Sequence, residues 1–210
     1  MFLDSSWLYP HSMSMLSPPK LDVNFAEPGA LIAALYIRDA LGLAGGPEDH
    51  RLQLDPPVGR AGGTLAGALV SAQWISWWSE LLEDTIRSLT GVHHPIALAA
   101  GLESRPDLRE ASAPILRDAE AWYQGQTDEV HGWKDPRAEN FLPFRVMALV
   151  RALLRRKDRR RFTTISFLVL PLAGSIGWEL QPGQFVISKH LARDTKRFEN
   201  WFAGQLLVSP

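Results

Sequence analysis

The chain contains no cysteine. Disulfide frameworks, thiolate nucleophiles and cysteine-based zinc or iron–sulfur sites are therefore excluded. The histidines lack metal-ligand spacing too. H-E-x-x-H and H-x-H are absent, and the adjacent His93 and His94 cannot easily face one ion from a regular strand or helix. No metal and no cofactor is expected. The P-loop, the dinucleotide fingerprint and G-x-S-x-G are all missing. There is also no long apolar run. Ile165 to Ala173, broken by Ser166 and Pro171, is too short to span a bilayer. The opening residues, MFLDSSWLYPHSMSMLSPPK, have no basic n-region and carry Asp4, so they do not read as a secretory leader. The expectation is a soluble, cytoplasmic protein with no membrane partner.

What is present fits an ordinary globular chain: 210 residues, 46% hydrophobic and 21% charged. Eight tryptophans are many for this length, and rings of that size mark a core or an interface. The net charge of -1 hides an asymmetry. Residues 1–130 carry 8 Lys and Arg against 17 Asp and Glu, whereas residues 131–210 carry 14 against 6. The preferred explanation is that the acidic and basic parts fold against each other. An anionic partner for the basic part is the alternative.

Residues 1–20 read as an irregular, Pro- and Ser-rich arm, and residues 21–210 as a single domain. Short alternation at 21–25 suggests a strand. Pro28 suits a first helical turn and Gly42 or Gly45-Gly46 a stop, giving a helix over 28–43. Residues 44–64 are a long polar connection in which Leu52 and Leu54 form a short extended piece. The strongest helix spans 65–89, where Val70, Trp74, Trp77, Trp78 and Leu81 share a face widened by Ile75, Leu82, Ile86 and Leu89. So broad an arc implies burial on more than one side. Helices over 106–111 and 113–125, then 141–157, follow. β signals come in series from Phe162 to Leu191: strands at 163–170, 176–180 and 185–189. Gln181-Pro182-Gly183-Gln184 is a turn that needs positive φ at Gly183. A last helix covers 194–206. The predicted fold class is α+β, mainly helical, with a small C-terminal antiparallel β-hairpin or three-stranded sheet. The tryptophan helix and the 141–157 helix pack around that sheet.

Four groupings could carry chemistry. The Gly-rich segment 59–64 opens the tryptophan helix. Backbone N–H groups at Gly62, Gly63 and Thr64, with Arg60, could hold an anion there. Trp74 and Glu80 would line the same pocket. An ordinary loop and helix start is the simpler reading. Glu80, Glu83 and Asp84 could act as paired carboxylates, against the simpler reading of a solvated helix face. His50 and His131 stand near acids in loops, where solvation is the default. The basic run 151–161, with Arg155, Arg156, Arg159, Arg160 and Arg161, could meet phosphates. Complementing a helix C-terminus and pairing with the acidic part is preferred.

Locally, Gly132 to Phe144, GWKDPRAENFLPF, resembles a segment of bacterial sulfotransferase-like proteins. The phosphosulfate-binding turn that such enzymes require is missing, so the resemblance assigns no site residue. No catalytic residue can be named. The functional expectation is a non-enzymatic protein-interaction or binding module, with a protein partner or a second copy of itself. One alternative is an enzyme or a binder of small anionic ligands, with its pocket between loop 59–64 and helix 65–89. The other is nucleic-acid binding through the basic run.

Overall fold

A computed structural model describes residues 21–43, 52–61, 67–89, 101–128, 142–154 and 164–208. The first strand, β1 (Asp22–Ala26), leads into α1 (Gly29–Leu41), then α2 (Ala68–Leu89) and α3 (Pro106–Ser112). A 3-10 turn, Ala113–Ile115, joins α3 to α4 (Leu116–Asp128). Next come α5 (Leu142–Leu154), β2 (Thr164–Leu170), β3 (Gly177–Gln181) and β4 (Gln184–Ser188). The short α6 (Lys189–Arg193) and then α7 (Thr195–Val208) complete the order.

The coarse class, α+β and mainly helical, agrees with the sequence. The sheet does not. It has four strands in the order β1-β2-β4-β3. β1 and β4 both run parallel to β2, and only β3 pairs antiparallel, with β4. The expected C-terminal antiparallel unit is therefore one hairpin, β3–β4, added to a parallel core. Burial gives the reason. β2 is buried at six of its seven positions and β4 at four of five. Strands apolar on both faces belong inside a sheet covered on both sides, which is the setting of parallel strands. β3, with Glu179 and Gln181, is only half-buried and takes the edge.

Two cores lie on the two faces. One joins α1 to α4 with Leu168, Leu170 and Val186 of the sheet. The other joins α5 and α7 with Ile165, Phe167, Val169, Phe185 and Ile187. β4 alternates between them: Phe185 and Ile187 face one core, Val186 the other. Phe167 sits at the centre of the second core. It stacks on Phe25 at 4.6 Å between centroids and meets Phe202 edge-on at 5.3 Å. Such ring pairs contribute about 0.5–1.5 kcal/mol beyond their area.

Local signals fixed several boundaries. Gly42 adopts φ 62 and closes α1, its N–H bonding back to Asp39 O. Gly183 adopts φ 80 in the turn between β3 and β4. One reading of the helices is corrected. The all-round buried helix is α1, buried from Ala30 through Leu35 and again at Ile37 and Arg38. The tryptophan helix α2 buries a single stripe, Trp74, Trp77, Leu81 and Thr85, and packs chiefly on α1 and α3. Its other apolar residues are only partly covered because α1, which also packs on α4 and α3, offers α2 one side. No helix among the described residues is long and apolar enough to cross a membrane.

Candidate functional site

Two places in the fold gather polar side chains from distant parts of the chain. The first lies between α2 and α3. A shallow cleft of about 320 Å³, open to solvent, is lined by Ala72, Gln73, Ser76, Ser104 and Arg105. Gln73 acts as a remote cap for α3. Its Oε1 accepts from Leu108 N at 2.9 Å, and its Nε2 donates to Asp107 Oδ2 at 2.6 Å. Arg105 is buried, and both of its terminal nitrogens are engaged. It donates to Gly101 O at 2.5 Å, Ser104 Oγ at 3.2 Å and Ser76 Oγ at 3.0 Å, and it pairs with the exposed Glu80. Every polar group here serves another part of the protein, so the cleft is a latch between two helices.

The second place is the carboxyl edge of the three parallel strands. In open sheets of this kind the space beyond the strand ends is where ligands sit, because the connecting loops diverge there. Glu27 follows β1 directly, and Lys189 and His190 follow β4. Residues 52–61 dock beyond the end of β2. Leu54 bridges to Leu172, Asp55 N donates to Pro171 O at 2.9 Å, and Ala173 N donates to Gln53 O at 2.7 Å. Leu52 and Leu54 are buried and anchor this strap, and Arg38 Nη2 donates to Leu52 O. The Asp55–Pro56 peptide bond is cis.

The strap carries Asp55 to the edge, where it meets His190. His190 Nε2 lies 2.5 Å from Asp55 Oδ2, between residues 135 apart in sequence. A carboxylate can only accept, so Nε2 carries the proton and donates. In the neutral ring Nδ1 is then left as the acceptor. The pair is half-exposed, with side chains at 43% and 42%. Beneath it lies a buried second pair. Lys189 Nζ is 4.0 Å from Glu27 Oε1, with side chains 7% and 3% exposed, and Nζ also donates to Gln126 O at 2.9 Å. Tyr123 of α4 closes the group. Its ring comes so near the first turn of α1 that a Cβ on Gly29 would stand 2.9 Å from it. Burial, and then the charge of Glu27, raises the Tyr123 phenol above its ordinary value of 10.0.

The edge can therefore hold and orient a histidine proton acceptor. Among the described residues, no three His, Asp or Glu side chains are grouped to hold a metal ion. Both pairs join residues of the first sixty positions to the start of α6.

The residues singled out from sequence fall elsewhere. Arg60 is exposed in the strap. Trp74 is a core residue whose Nε1 donates to Ala34 O at 2.9 Å, with Arg38 over its ring. Glu80 belongs to the latch. No hydrogen bond or ion pair among the described residues joins Arg60 to Trp74 or Glu80. Glu83 and Asp84 pair with Arg87 on the exposed face of α2. Gly62, Gly63 and Thr64 lie outside the described residues, as do Arg155, Arg156, Arg159, Arg160 and Arg161. The same holds for His50, His93, His94 and the 131–137 loop. Sequence reasoning passed over Glu27, Asp55, Tyr123, Lys189 and His190. The available signal was Lys189-His190 standing just past a strand apolar on both faces.

Leu69 and Phe144 are the large apolar side chains exposed among the described residues. They stand on α2 and α5, on opposite sides of the sheet. No known protein family, curated protein or solved structure matches this chain.

Proposed function

We propose that this protein binds a small polar ligand at the carboxyl edge of its parallel strands, through the His190–Asp55 pair. The observation that carries this is the pair's incompleteness. The Arg105 side chain is buried and both its terminal nitrogens bond to protein, whereas His190 is half-exposed and its Nδ1 has no protein partner among the described residues. Asp55 holds the imidazole in the tautomer whose Nδ1 accepts, so the ligand presents an O–H or N–H donor to it. Lys189 and Glu27, buried beneath, supply balanced charge and a rigid floor. This moves the ligand-binding alternative from the Gly-rich loop and the tryptophan helix to the strand ends. A protein-interaction role is the rival, and it predicts that no small molecule engages His190.

The test is a thermal-shift screen of nucleotides, sugars and acyl compounds, repeated for each hit on His190→Gln and Asp55→Asn. The expected result is a melting-temperature rise in the wild type, absent in His190→Gln and reduced in Asp55→Asn. Hits that stabilise both variants as well as the wild type would remove the edge from consideration, and so would a screen without hits.

A further inference from the structure

We infer that Ser188 is the positioning residue of the His190–Asp55 pair, an inference that rests on the ligand-site reading above. Ser188 is the last residue of β4 and is fully buried. It is also the N-cap of α6, with extended φ −74 and ψ 154. Its Oγ accepts from Leu191 N at 3.0 Å and from Ile176 N at 3.1 Å. Its own N–H donates to Ile176 O at 2.9 Å. One side chain thus ties the start of α6 to the connection between β2 and β3.

α6 has five residues, too few to hold its direction unaided. What fixes the first turn is the cap, and His190 lies in that turn. The partner's placement shares the same anchor. Ser188 is in register with Leu170 on β2. The next residue along β2, Pro171, holds Asp55 through its carbonyl. His190 and Asp55 therefore hang from one paired row of the sheet, and Ser188 sets the angle at which His190 leaves it. A merely stabilising cap would cost stability when removed and leave the imidazole's partner unchanged.

The readout is the side-chain 15N signature of His190, which reports the tautomer and needs no ligand. Ser188→Ala, still giving the dispersed amide spectrum of a folded chain, is expected to lose the hydrogen-bonded Nε2–H signal and to match Asp55→Ala. Ser188→Thr, which keeps the hydroxyl, restores the wild-type signature. A folded Ser188→Ala variant with the wild-type His190 signature overturns the inference while leaving the ligand-site reading intact. An Asp55→Ala variant, which removes the acceptor, with an unchanged signature overturns both, since the pair would not exist in solution. Where Ser188→Ala does not fold, amide exchange at Leu191 in the wild type decides. Slowing of about tenfold or more supports the cap, and exchange at the free-peptide rate overturns it.

Discussion

Arg105 and His190 both face carboxylates contributed by distant segments, yet the two neighbourhoods are built to opposite ends. Around Arg105 the guanidinium reaches Gly101, Ser104, Ser76 and Glu80. Both terminal nitrogens are engaged with protein, and the cleft beside the side chain is shallow. At the strand ends the charges are arranged in two tiers. The inner tier, Lys189 and Glu27, is buried, and Lys189 also donates to Gln126 O. The outer tier, His190 and Asp55, is half in solvent and has a ring nitrogen to spare. The difference separates polar groups that hold a fold together from polar groups that a fold holds out. It can be measured, because each tier should respond differently when one member is removed.

The inner tier should be the most sensitive. Lys189→Met leaves the Glu27 carboxylate buried without its cation, which costs about 3–5 kcal/mol. Urea unfolding monitored by the tryptophans would measure it. Adding Glu27→Gln should recover most of the loss, since the burden is the uncompensated charge and not the missing methylenes. A single variant within 1 kcal/mol of the wild type, a margin of order RT, would show that the inner tier is hydrated and belongs to the site. The latch comes next. Arg105→Met leaves Gly101 O without its donor, but Ser76 and Glu80 are exposed and rehydrate, so the expected loss is about 1–2 kcal/mol. Wild-type ligand binding should survive it. A loss of binding there, with the edge intact, would reverse the roles assigned to the two regions.

The outer tier should be nearly silent in stability. His190→Gln and Asp55→Asn should each cost below about 1 kcal/mol, as half-exposed pairs do. Their effect should fall on ligand binding. Large destabilisation by either would place the outer pair with the latch, as a fastening.

Much of this fold was written in local pattern. Pro28 and Gly42 bracket α1, Gly183 makes the β3–β4 turn, and every described helix but the short α6 falls within a few residues of its apolar period. What local pattern could not give was the pairing. β1 joins Asp22–Ala26 to Thr164–Leu168, partners whose proximity no nearby residue encodes. The β3–β4 turn also drew attention to the antiparallel pair and away from β2 and β4, whose two-sided apolarity was the sign of a parallel core. Missing the parallel strands meant missing their carboxyl edge. Asp55 then looked like one acid in a polar connector and His190 like the tail of a strand. The tryptophans, by contrast, are conspicuous in sequence and drew the site toward Trp74, which the structure spends on packing against Ala34.

The smallest expected effect tests the edge from the alkaline side. Burial, then the Glu27 charge, raises the Tyr123 phenol above 10.0, and burial, then Asp118, raises that of Tyr36. In the unfolded chain both phenols ionise near pH 10. Above that pH the unfolded state has therefore released protons that the folded state still holds. The stability is fully present below about pH 10 and declines as pH rises through the raised folded values. Tyr123→Phe removes one titrating group and should flatten that decline, seen as a smaller drop in melting temperature between pH 9 and 11, the window around the ordinary phenol value. Tyr36→Phe, remote from the strand ends, serves as the control for ionisation alone. The two should differ in one respect. Ionising Tyr123 places a second negative charge beside Glu27 and should disturb the His190 15N signature as well as the stability, whereas ionising Tyr36 should leave that signature unchanged. Equal behaviour of the two variants at His190 would detach Tyr123 from the edge and leave its closeness to Gly29 as a packing contact alone.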